Sequence, residues 1–199
     1  MIRALWAKLQ GMLARPAPPL REAAAASCLG SVASLPAGET LVSPRLFALA
    51  EAGDVEAQAA LGEHFFDDRE ENFAACLHWN ACAARAGHVG AQSRLATIYH
   101  EGLGVERHPE TAFYWWYSAA CQNHRGAKLM VAAAFDLGIG VEADLMEAAY
   151  WASLAYLAAR DDPEGRELVD PYCRSVMRKL TEEQKSQALA RLQLHVKQD

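Results

Sequence analysis

Trp79, Trp115 and Trp151 stand 36 residues apart, and their surroundings keep step with them. Three positions before each is a small residue (Cys76, Ala112, Ala148), and four after it an alanine (Ala83, Ala119, Ala155). A sequence period of this length means that each period is one supersecondary unit, which buries its apolar face only by stacking on the next. The period therefore limits the chain to a repeat array.

A second register runs upstream of the tryptophans. Ala57, Leu61 and Phe65, then Ala91, Leu95 and Tyr99, then Ala127, Val131 and Phe135 recur at i, i+4 and i+8, the spacing of one helix face. Each unit thus reads as a helix A, a tight loop and a helix B. The loops of the later units carry glycine pairs, Gly102 with Gly104 and Gly138 with Gly140. Asn72 and Asp144 precede the B helices as N-caps, because a short polar side chain can accept the first-turn amide hydrogens; His108 is a poorer cap, but Pro109 behind it suits the first helical position. Gly53, Gly87 and Asn123 follow the B helices in register, and these residue types tolerate the left-handed backbone that ends a helix.

The flanks are less regular. Residues 25–56 read as a degenerate repeat, with Ser43 and Pro44 opening a short helix B. Residues 57–90, 91–126 and 127–160 are the full repeats, and 161–199 hold capping helices. Asp162–Pro163 and Asp170–Pro171 each read as a helix start, and Thr181 to Gln184 as a capping box. At the N-terminus, Ile2, Leu5, Trp6, Leu9 and Leu13 line one face of a helix carrying Arg3, Lys8 and Arg15 and no acid. Pro16, Pro18 and Pro19 then make a stiff linker, so 1–19 is set apart from a repeat domain over 20–199. The expected fold is all-α: a right-handed α-solenoid of helix-turn-helix repeats with an N-terminal amphipathic helix and C-terminal capping helices.

Charge and cysteine content narrow the function. The net charge of −6 and the lack of a basic cluster in the repeats argue against nucleic acid as a partner. Five cysteines at irregular spacing do not form a disulfide framework and fit a cytoplasmic setting. Cys76, His78, Cys82 and His88 lie near one another in sequence, but Cys76 fills the small-residue column and His88 the turn column. No metal, cofactor or catalytic residue is expected.

The units "AQSRLATIYHEGLGVERHPETAFYWWYSAACQN" and "AKLMVAAAFDLGIGVEADLMEAAYWASLAYLA" resemble the Sel-one-like repeat family, relatives of the tetratricopeptide repeats. The resemblance rests on Leu61, Leu95, Tyr99, Gly102, Gly104, Gly138, Gly140, Trp79, Trp115 and Trp151 as structural positions. It implies a non-enzymatic scaffold or adaptor for another protein or peptide. Some cysteine-rich members are linked to β-lactam binding or hydrolysis, but S-x-x-K, K-T-G and the paired cysteines of that subgroup are lacking here.

In such arrays helix A lines the concave surface. Its variable positions, Gln58, Glu63, Gln92, Arg94, Thr97, Glu101 and Lys128, are the candidate partner-binding residues, with Arg94 and Lys128 read as two cations facing an acidic segment. Trp116 and Tyr117 are not required by the repeat and are either core or interface aromatics. The N-terminal helix either docks on the body through its apolar face or touches lipid through residues 1–15, and the latter makes a peripheral membrane adaptor the alternative function.

Overall fold

The computed structural model describes residues 43–67 and 72–196. The expected N-terminal helix, the 25–42 part of the degenerate repeat and the 68–71 stretch lie outside the described residues. Those described form nine helices and no strand: α1 Pro44–Glu51, α2 Val55–Asp67, α3 Phe73–Arg85, α4 Val89–Glu101, α5 Pro109–Cys121, α6 Arg125–Leu137, α7 Leu145–Ala158, α8 Pro163–Arg178 and α9 Glu182–Val196. The chain is an all-α solenoid in which α2/α3, α4/α5 and α6/α7 are the full helix A/helix B pairs.

Column residues are the core. Ala57, Leu61, Phe65, Ala91, Leu95, Ala127, Val131 and Phe135 are buried on the A helices, and Trp79, Trp115 and Trp151 on the B helices. Alanines 83, 119 and 155 are fully buried beside them, because two helices approach closely only where side chains are small. The left-handed column is as expected: Gly53, Gly87 and Asn123 all have positive φ, and Asn123 is the one non-glycine residue to do so among those described.

The helix starts differ in part from expectation. Asp144 caps α7 through hydrogen bonds from the Met146 and Glu147 amides, but the Asn72 side chain makes no cap bond. A different column does the work at the A helices. Asp54 Oδ1, His88 Nδ1, His124 Nδ1 and Asp162 Oδ1 each accept the amide hydrogen three residues on, at 2.8, 3.1, 3.0 and 3.0 Å. The turn histidines are therefore N-caps, a role the sequence reading did not assign them.

After α7 the chain makes one more helix pair. Asp170–Pro171 does not open a helix; Pro171 lies inside α8. A proline inside a helix removes its own amide donor and crowds the carbonyl four residues back. Burial of Val169 and Val176 on either side holds the helix through it, while Asp170 pairs with Arg174 four residues on. Two ion pairs fix α8 beside α6 in the same direction: Arg125 with Asp162 at the starts, and Lys179 with Asp136 at the ends, Nζ to Oδ2 2.6 Å. Cys173 Sγ donates to the Ala152 carbonyl of α7 at 3.0 Å, and burial raises its thiol pKa to about 11. The expected capping box starts α9, with Thr181 and Gln184 exchanging backbone-to-side-chain bonds. Arg191 on α9 grips the buried carboxylate of Glu147 at 2.6 and 3.2 Å and lies 3.8 Å over the Tyr150 ring.

Candidate functional site

The candidate surface is the solvent side of the A helices, and several of its expected members turn into the fold. Gln58 Nε2 donates to the Ala50 carbonyl at 3.1 Å, and Gln92 Nε2 to that of Ala84 at 3.2 Å. Both reach back eight residues to a carbonyl in the last turn of the preceding B helix, and each joins the amide of the left-handed glycine three residues on, Gly53 or Gly87, as a second donor. Lys128 holds the same place in the third repeat. It is buried, and its ammonium donates to the side chain of Asn123, the left-handed residue ending α5. A cation beside a helix C-terminus is electrostatically favourable.

Arg94 is also drawn in. Its Nε donates to Asn80 Oδ1 at 2.9 Å and its Nη2 to the Ala59 carbonyl at 3.0 Å, leaving its side chain 17 % exposed. Asn80, on α3, is wholly buried; its Nδ2 donates to the carbonyls of Gly62 at 2.8 Å and Cys76 at 2.9 Å. A Cβ on Gly62 would stand 2.7 Å from Asn80 Oδ1, so only glycine admits this approach. A buried amide is tolerable when its donors and acceptor are all used, as here. The expectation of two solvent-facing cations at Arg94 and Lys128 is thereby corrected: desolvated carbonyl and amide oxygens outcompete water for both.

Trp116 and Tyr117 belong to the core. Trp116 is 1 % exposed, with the His100 ring 5.0 Å away, and its indole N–H has no hydrogen-bond partner among the described residues. Tyr117 is buried, 5.9 Å from the Phe113 ring. Of the expected face, Glu63 and Glu101 are exposed, and Thr97 is half-exposed with its hydroxyl on the Ser93 carbonyl at 3.2 Å. Glu63 lies 3.5 Å from Arg94, and Glu101 3.7 Å from both Arg107 and His100. These carboxylates sit on a rigid support, since the longer side chains around them are tied into the backbone.

His78 and Cys82, one turn apart on α3, stand 3.9 Å apart, and burial lowers the His78 pKa. No group of three or more metal-ligating side chains occurs among the described residues. Nor is any of their helices long and apolar enough to cross a membrane.

The model of the Sel1 repeat matches residues 55–88, 89–124 and 127–159, more than half of the chain. Among solved structures, c5321, a protective antigen present in uropathogenic Escherichia coli strains and displaying an SLR fold, is similar with a TM-score of 0.67 and 28 % identity. The match covers 76 % of this chain but 32 % of that one, so this chain spans about a third of that protein's length. A Sel1 repeat protein from Oxalobacter formigenes is similar with a TM-score of 0.54 and 29 % identity, over 64 % of this chain and 96 % of the other. No curated protein matches.

Proposed function

This chain belongs to the Sel1 repeat family, and we propose that it is a non-enzymatic scaffold that holds a segment of another protein along the solvent side of its A helices α2 and α4, the face expected to be concave. Sel1 repeats generally serve as protein–protein interaction modules. One observation carries the choice of face. Gln58, Gln92 and Arg94 are committed to backbone or buried amide partners, while Glu63, Thr97 and Glu101 between them remain at the surface. A binding face of this kind is preorganised, so little side-chain entropy is lost on association. The carboxylates favour a partner segment carrying cations, which charge complementarity would also draw in faster.

The test is capture of partners by cross-linking from host lysate, comparing the parent with Glu63→Lys/Glu101→Lys. Both residues are exposed, so the melting temperature should move little. Loss of a partner band that the parent captures supports this face; a band that survives the double substitution overturns it. A second reading is favoured by the cationic, amphipathic sequence of residues 1–15, which would place the scaffold on a lipid surface. Co-sedimentation of the full chain with anionic vesicles, lost on deleting residues 1–19, would support it; no co-sedimentation of the full chain would end it.

A further inference from the structure

We propose that the outward stripe of α8 is a self-association surface that pairs with α8 of a second copy in antiparallel, two-fold register. Glu164, Leu168, Pro171, Ser175 and Arg178 are spaced i, i+4, i+7, i+11 and i+14, so they share one side of the helix. All five are exposed, and Leu168, at 75 %, is the most exposed large hydrophobic residue among those described. The opposite side of α8 is spoken for: Val169 and Val176 are buried, and the ion pairs at both ends hold the helix against α6. Leu137, the last residue of α6, is 67 % exposed and follows directly on Asp136, the partner of Lys179.

Charge complementarity names the occupant. Most charges of this region have partners within the fold: Asp162 with Arg125, Asp170 with Arg174, Lys179 with Asp136, and Arg166 over the Tyr156 ring. Glu164 at the start of the stripe and Arg178 at its end have no ion pair among the described residues. The stripe therefore runs from an uncommitted acid, through an apolar and small-residue centre, to an uncommitted base. Reversed about Pro171, it is its own complement. A two-fold axis there sets Glu164 of each copy beside Arg178 of the other, and sets Leu168 against the small Ser175. Such isologous pairing makes every favourable contact twice. A helix of this length offers a seam of about 24 Å, so the association should be weak, with a dissociation constant in the micromolar range.

Sedimentation velocity of the full chain over roughly a thousandfold range of concentration tests this. The parent should pass from monomer to dimer. Leu168→Asp should weaken the dimer by about tenfold or more, and Glu164→Arg or Arg178→Glu each by about fivefold to tenfold, since each reversal sets like charges together at two places. Combining Glu164→Arg with Arg178→Glu should bring the dissociation constant back to within about threefold of the parent. That double variant has the worse charge arrangement for the dipole of α8, so recovered association cannot stem from a more stable helix. Circular dichroism melts should confirm that each variant is folded. A parent that stays monomeric throughout, and so leaves the stripe to some other occupant, overturns the proposal. So does a dimer indifferent to Leu168→Asp, or a double swap no better than the single ones. Because no lysate partner enters this experiment, its failure leaves the scaffold reading on α2 and α4 standing, and the converse also holds.

Discussion

The first and second repeats fill the same slot in opposite ways. In the first, Asn80 is buried against Gly62 and receives Arg94. In the second, the register puts Ala96 at the place of Gly62 and Trp116 at that of Asn80, with Met130 standing where Arg94 does. The polar arrangement joins three elements by directed bonds and demands a glycine. The aromatic one fills the space by volume and leaves an indole N–H without a partner. The difference teaches that the repeat fixes how much space a column has, not which chemistry occupies it. Gly62, Asn80 and Arg94 make sense only as a set.

The comparison can be broken most severely at its aromatic side. Trp116→Ala should cost about 3–5 kcal/mol, because a wholly buried indole leaves a cavity that the helices only partly close. Chemical denaturation measures it; a cost below that of a surface substitution would show that Trp116 is not core. Asn80→Ala should cost less, about 2–3 kcal/mol, chiefly from removing the buried bonds that Asn80 makes to the Gly62 and Cys76 carbonyls and to Arg94 Nε.

Gly62→Ala should cost about 1–3 kcal/mol by overpacking against Asn80. In an Asn80→Ala background that cost should shrink, since the colliding atoms are gone; equal costs in both backgrounds would contradict the close approach. A sharper version moves one solution into the other's place. Asn80→Trp alone should be strongly destabilising, and adding Gly62→Ala and Arg94→Met should recover part of the loss. No recovery would mean that the slots differ in shape as well as chemistry.

Smaller effects are expected at the caps. His124→Ala should cost about 1 kcal/mol, and His124→Asp should retain the cap, as Asp54 and Asp162 do in the same column.

The smallest effect is a pH dependence that separates the two repeats again, since His78 and Tyr114 occupy one column. Burial lowers the His78 pKa, so the stability it contributes is present above the ordinary imidazole range near 6.5 and is lost as pH falls through it. Burial raises the Tyr114 pKa, so its contribution is present below about 10 and is lost as pH rises further. Denaturation midpoints against pH should show a shallower acid limb in His78→Gln and a shallower alkaline limb in Tyr114→Phe. The reverse assignment would contradict the burial of both.

Columns that pack helix on helix were legible from the sequence because their spacing is imposed by geometry: the tryptophans, the alanines and the left-handed turn at Gly53, Gly87 and Asn123. The candidate face was less so. Sequence position places Arg94 on the outward column, yet its partners are Asn80, 14 residues away, and Ala59, 35 away. A long side chain can fold back over its own helix to reach them, and nothing local announces it. The signal was present only as a pair of exceptions, a glycine at 62 where alanine stands at 96 and 132, and an asparagine at 80 inside an apolar helix. Pro171 misled for the converse reason: a local helix-breaking preference was outweighed by the burial of Val169 and Val176.

Because Gly62 and Asn80 lie in one repeat and Arg94 in the next, the seam between these two repeats is not a neutral place to cut. Exchanging the first repeat alone would remove the Asn80 oxygen that Arg94 Nε donates to, and exchanging the second alone would take the donor from that buried oxygen. Recombination within this array should therefore preserve residues 55–101 as a block, so that the inherited module is one repeat and the A helix of its neighbour.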